Sequence, residues 1–255
     1  MKRNICMRGA ILAGVVWITM SLLVSHNVLA QERWSPPVEP QPFWSVLIDQ
    51  FEYRRNDGQA DTFKWDVEGW AGYDYNRIWV RTEGEQRVTG DTGGEAEVQL
   101  LYSRLIATFW ELQAGVRHQR LYGGGPERSR TFASFGAEGL APYRFDVEPF
   151  LFISEDGDVS ARFAATFDLL FTQRLIAQPR FETNAAAQDA KEFGIGEGVN
   201  SVELGWRLRY EFTREFAPYV GVSWLRKLGD TATLARRAGD NVDTVTFVIG
   251  IRMWF

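Results

Sequence analysis

The stretch SVELGWRLRYEF, residues 201–212, alternates with a strict period of two. Val202, Leu204, Trp206, Leu208, Tyr210 and Phe212 oppose Glu203, Arg207, Arg209 and Glu211. Such a pattern gives a β-strand one apolar and one charged face. It recurs along the chain, in TFKWDVEGWAGYD (62–74), EAEVQLLYS (95–103), WELQAGVRH (110–118) and TVTFVIGIRMWF (244–255). In the last of these, Val245, Phe247, Ile249, Ile251, Met253 and Phe255 make one apolar set. Twelve strands are expected, near 45–54, 62–74, 77–87, 95–104, 107–118, 129–140, 144–154, 159–171, 174–184, 199–212, 216–227 and 244–255. Each is about the 9–11 residues that a tilted membrane strand needs.

The first residues set the compartment. Lys2, Arg3 and Arg8 precede an apolar run over 10–24, and Val28-Leu29-Ala30 offers cleavage positions, the layout of a secretory signal peptide over 1–30. Its removal takes Cys6, His26 and three of the four Met, leaving His118 and Met253 as the only imidazole and thioether. It also takes three of the 28 basic residues, so 25 face 33 acidic ones, a net charge of −8. An exported chain without cysteine has no disulfide framework or thiolate site. Its acidic balance argues against nucleic acid as partner. WSPPVEPQPFW (34–44) reads as an extended lead-in, which makes 31–44 a periplasmic N-terminal segment and 45–255 a single domain.

Connections between the expected strands alternate in length. Short turns are expected near Tyr75-Asn76, Leu105-Ile106, Pro142-Tyr143, Thr172-Gln173 and Thr213-Arg214; the other connections, such as NAAAQDAKEFGIGEGV and LGDTATLARRAGDNVD, are mostly long and polar. An even strand number with short turns at one end and long loops at the other describes an all-β, transmembrane antiparallel barrel of the outer membrane. A soluble β-sandwich also alternates, but strand length, aromatic strand ends and the terminal Phe255 favour the barrel. In strand one, Asp49 and Gln50 fall in opposite phases, so either a bulge intervenes or one polar group faces outward.

Several stretches carry a family resemblance. DQFEY (49–53), WDVEGWAGYDYNRIWVRTEGE (65–85), LLYSR (100–104), LQAGVRH (112–118), GLAPYRFDVE (139–148), DLLFTQR (168–174), LRYEFTREFAPYVGV (208–222) and the terminal MWF resemble the copper-resistance protein B family (CopB/PcoB type). The resemblance covers about 45–255. It implies a non-enzymatic outer-membrane protein of copper homeostasis, binding, sequestering or exporting copper beside a periplasmic multicopper oxidase and surrounded by outer-membrane lipid. Members often carry a Met- and His-rich N-terminal segment, and 31–44 contains neither residue type.

The residues themselves offer copper little. Cu(I) prefers sulfur ligands and Cu(II) imidazole. Met253 lies on an apolar strand face, and His118 shares the phase of Val116 and Ala114 near a long loop, where it is either a rim histidine or a ligand. Carboxylates are abundant instead. The inward phase of strands two to four carries Asp66, Glu68, Glu83, Glu85, Glu95 and Glu97, with Lys64 and Arg81 among them. Arg162, Arg180, Arg207, Arg209, Asp168, Glu182, Glu203 and Glu211 come from later strands. One reading is a salt-bridged lumen. The other is an acidic wall that concentrates cations and binds copper weakly or transiently, through those six carboxylates and His118. Two further classes stay open: a generic small-solute or cation channel, and a hydrolase that would have to use His118 with Ser103, Ser129 or Ser134.

Overall fold

The computed structural model describes residues 41–90, 93–123 and 127–255. The expected signal peptide over 1–30, and the lead-in as far as residue 40, lie outside these. The strands are β1 (Phe43–Asn56), β2 (Thr62–Gly72), β3 (Asn76–Arg87), β4 (Gly93–Ala107), β5 (Trp110–Gly123), β6 (Arg128–Ala141), β7 (Phe145–Ser154), β8 (Val159–Phe167), β9 (Leu169–Leu170), β10 (Leu175–Ala186), β11 (Gly198–Tyr210), β12 (Phe216–Lys227) and β13 (Asp243–Trp254). Each pairs antiparallel with its neighbours, and β13 pairs with β1, so the sheet closes on itself. The two-residue β9 extends the edge of β8 along β10, which leaves a barrel of twelve full strands.

Closure removes the edges that an open sheet would expose. In a membrane it also satisfies every ladder N–H and C=O without water. The seam reaches the last residue, since Val46 N–H donates to the Phe255 carbonyl (3.0 Å) and Phe255 N–H to the Val46 carbonyl (2.9 Å). The alternation then sorts side chains. Val98, Leu100, Val116, Val220, Phe247 and Ile249 are exposed on the outer wall, where the lipid lies, while Gln50, Glu52, Gln99, Arg117, Arg207 and Arg209 are buried within. The barrel therefore sits in the outer membrane.

Three details differ from the expectation. β1 begins at Phe43, inside the stretch read as lead-in, because the alternation already starts there and pairs with Gly72. The turn expected at Leu105-Ile106 comes after Ala107, since β4 runs on to pair with Trp110. The connection LGDTATLARRAGDNVD contains a helix, α1 (Gly229–Ala238), that buries Thr231, Ala232 and Ala235. Gly239, at φ 82°, ends that helix in a left-handed cap.

The bulge in β1 is present. Pairing with both neighbours shifts after Ile48, and Asp49 and Gln50 both reach lumen partners: Asp49 pairs with Arg180 and Arg252, and Gln50 accepts from Arg207.

At the long-loop end, the β10–β11 connection reaches across to β6. Arg128 donates to the Glu192 carbonyl, and the Arg130 guanidinium lies 4.1 Å from the Phe193 ring. α1 braces this loop, because Thr231 Oγ1 accepts from Gly196 N–H (2.9 Å) and from Asn200 Nδ2 (2.8 Å). Within the loop, Asp189 is held below the usual carboxylate range by the Glu197 N–H and then by Lys191.

Candidate functional site

The inner wall of β2–β4 is acidic in register. Lys64 lies opposite Glu85, Asp66 opposite Glu83 and Glu68 opposite Arg81 across β2–β3. Across β3–β4, Glu83 lies opposite Glu97 and Glu85 opposite Glu95. Like charges placed directly opposite repel. Alternation alone therefore brings Asp66, Glu68, Glu83, Glu85, Glu95 and Glu97 onto one wall with only Lys64 and Arg81 among them, and further cations must reach them from elsewhere.

They come across the lumen and from the flanking strands β1 and β5. Arg162 on β8 reaches Glu83 (2.9 Å) and Glu97 (3.1 Å), and Lys64 adds a contact to Glu83 (3.1 Å). Arg117 on β5 also binds Glu97, which is almost fully buried. Arg180 on β10 lies 3.5 Å from Asp49 and 3.9 Å from Asp66. Arg81 on β3 reaches Glu68 at 3.4 Å on β2, and, on the far wall, Glu138 and Glu148, the latter at 3.0 Å. Glu85 takes Arg54 at 3.5 Å and the Thr62 hydroxyl at 2.5 Å. Glu95 is exposed near the long-loop end, with no ion pair among the described residues.

A second network lies beside the first. Glu52, with no exposed surface, accepts from Arg54, Arg207 (3.0 Å) and the Tyr219 hydroxyl (2.9 Å). Arg54 continues to Glu203 at 2.9 Å, which also accepts from Ser223. Arg209 pairs with Asp168 and Glu211, and Glu182 lies 3.4 Å from Arg180. Buried charges persist only when paired, and most of these are paired more than once.

The lumen also holds an aromatic cluster that the sequence reading missed. Trp79, Leu101, Phe132, Phe150 and Phe152 are buried together inside β3–β7, with Trp70 against them. Cationic side chains lie on these rings: Arg117 is 4.5 Å from the Phe152 centroid, Arg81 is 4.9 Å from Trp79, and Arg130 is 4.8 Å from Phe132. A desolvated guanidinium over a ring gains about 2 kcal/mol. One half of the lumen is thus filled by rings capped with arginine, the other by ion pairs.

His118 does not join the carboxylates. Even-numbered residues of β5 point outward, so His118 is exposed on the outer wall, and its Nδ1 lies 3.1 Å from Thr131 Oγ1. Met253 is likewise on the outward phase, partly buried on β13. Ser103 and Ser134 are buried on the inward phase, so neither shares a face with His118. Among the described residues no three His, Cys, Asp or Glu side chains are arranged to hold a metal ion. The donor set of the lumen is carboxylate oxygen, engaged by arginine or lysine at every wall position but Glu95. That composition suits weak, exchangeable contact with a cation better than a tight copper centre.

Comparison with solved structures bears on the fold alone. A NanC porin aligns with a TM-score of 0.52 at 11% identity, covering 83% of this chain and 99% of the porin. A KdgM porin aligns at 0.50 with 10% identity, covering 81% and 99%. Sequence comparison is more specific. Copper resistance protein B of Escherichia coli is 44% identical over 210 residues, which is 82% of this chain and 69% of the relative. A copper resistance protein B homolog of Pseudomonas syringae pv. tomato is 43% identical over the same shares. The family model described as copper resistance protein B precursor (CopB) matches residues 42–255, the whole barrel, and the chain belongs to that family.

Proposed function

We propose that this protein contributes to copper resistance by weak, non-enzymatic handling of copper ions at the outer membrane, in concert with a periplasmic multicopper oxidase. The observation that carries the reading is the acidic wall of β2–β4, in a chain of the copper resistance protein B family. Copper is cargo in this account. It exchanges among carboxylates that arginine already shares, so affinity at any one position is low and release is fast. The six wall carboxylates are its contacts; His118, on the outer wall, is not needed.

An open small-solute channel fits less well. Twelve strands enclose more space than the side-chain-filled eight-stranded barrels, yet Arg81, Arg162 and Arg180 each bridge that space. The test is copper tolerance of cells that rely on this protein. Replacing Glu68, Glu83 and Glu85 together by Gln keeps volume and removes charge, and should lower tolerance, while His118→Ala should leave it near normal. If the triple variant folds and protects fully while His118→Ala abolishes protection, the sole imidazole is the site and this proposal fails.

A further inference from the structure

At the short-turn end of the barrel, arginines inside and outside the wall have different surroundings. Inside, Arg77 pairs with Glu111, Arg209 with Asp168 and Arg252 with Asp49. Outside, Arg104, Arg144, Arg174 and Arg214 are exposed, and none has an ion pair among the described residues. Arg144, Arg174 and Arg214 fall at the β6–β7, β9–β10 and β11–β12 connections, and Arg104 lies on β4 opposite Asn76, level with the β2–β3 connection. Each has an exposed aromatic at the same level, namely Tyr75 (65% exposed) by Arg104, Tyr143 (87%), Phe171 (63%) and Phe212 (60%).

Short turns of such barrels face the periplasm. Aromatic rings at strand ends sit at the level of the lipid headgroups. An arginine beside each ring is therefore at headgroup depth, and its planar guanidinium matches the oxygens of a phosphate. We propose that this rim binds anionic phospholipid headgroups of the periplasmic leaflet through Arg104, Arg144, Arg174 and Arg214. An acidic protein partner would use the same charge, but the ring beside each arginine favours lipid. The inference rests on the barrel and its orientation and is independent of how copper is handled.

The test uses the full chain folded into nanodiscs of phosphatidylcholine and phosphatidylglycerol in about a four-to-one ratio, the lipid retained after stripping being measured by mass spectrometry. A basic side chain near an anionic surface contributes about 1 kcal/mol, or about fivefold. The ratio of retained phosphatidylglycerol to phosphatidylcholine should therefore exceed that of the disc on the wild type, and the Arg104→Gln/Arg144→Gln/Arg174→Gln/Arg214→Gln variant should lower that ratio by more than about threefold. Lysine at the same four positions should retain most of it. Equal enrichment on wild type and folded Gln variant overturns the proposal, and so does a wild type that shows none but captures an acidic periplasmic protein. Should the Gln variant fail to fold, salt decides with the wild type alone: enrichment that collapses at high ionic strength supports the proposal, and enrichment that survives overturns it.

Discussion

Tyr219 and Gly250 lie directly opposite one another on β12 and β13, and the tyrosine ring occupies the space that a side chain at Gly250 would need. A Cβ there would fall 2.6 Å from the phenol oxygen, 2.7 Å from Cζ and 2.8 Å from the Cβ of Glu52. The glycine thus lets Tyr219 lie flat against the wall and donate to Glu52 at 2.9 Å.

Gly250→Ala should destabilise the folded barrel by about 1–3 kcal/mol, the usual effect of overfilling a packed site. Tyr219→Phe keeps the ring and loses only the hydrogen bond to Glu52, so its effect should be smaller. Urea unfolding in lipid vesicles, followed by tryptophan fluorescence, measures both. Because Gly250→Ala and Tyr219→Ala act on the same space, the double variant should recover part of the loss. Strict additivity would mean that the two positions are not coupled.

Arg162 holds apart two carboxylates that face each other across β3 and β4. Arg162→Met leaves Glu83 with Lys64 and Glu97 with Arg117 and Gln99, so the loss should stay below the about 3–5 kcal/mol of a buried charge left with no partner. Adding Glu97→Gln should restore part of the stability. In planar bilayers, the wild type should conduct far less than an open porin, and Arg81→Ala/Arg162→Ala/Arg180→Ala should raise a cation-selective current. A wild type already conducting like a porin would contradict the bridged lumen.

Deleting Phe255 removes both backbone hydrogen bonds to Val46 at the seam, whereas Met253→Leu exchanges similar volumes on the outer wall. The deletion should cut the yield of heat-modifiable barrel in the outer membrane severely, and the substitution should cost under about 1.5 kcal/mol. Equal yields from the two would refute this account of the closing strand.

Gly196 gives the β10–β11 loop its seat on α1. A Cβ at this position would lie 2.5 Å from the Cβ of Asp230 and 2.7 Å from Thr231 N, so Gly196→Val should lift the loop off the helix. Limited proteolysis of whole cells should then cut within 187–198 faster than in the wild type. Barrel stability should change less, since the loop meets the strands only at their long-loop end. Unchanged proteolysis would show that the helix does not brace the loop.

The strands and their facing were legible because period two is a local signal. Every wall carboxylate from Asp66 to Glu97 sits on the phase that alternation assigned to it. The conflict between Asp49 and Gln50 marked the bulge for the same reason. In β7, FLFIS is apolar on both faces, so alternation could not tell that Phe150 and Phe152 turn inward. α1 has local signals too: Gly239 at its end, Asp230 in its first turn, and the small residues Thr231, Ala232 and Ala235 on one side. The contacts of Arg81, Arg162 and Arg180 were beyond reach in principle. Which strand faces which across a closed ring depends on curvature and stagger, and no local window contains either.

The bridging of the lumen has a consequence for how the chain assembles. Arg207 and Glu52 meet although 155 residues separate them, and Arg162 and Glu83 are 79 apart. Neither pair can form while the sheet is still an open ribbon, because their strands are not adjacent on it. Before closure the acidic strands β2–β4 repel along their own ladders and have only Lys64, Arg81, Arg54 and Arg117 nearby. Most of the electrostatic gain is therefore delivered in one step, when β13 meets β1. A half-zipped ribbon is held short of that gain, so partially assembled forms should be scarce and the passage from ribbon to ring abrupt.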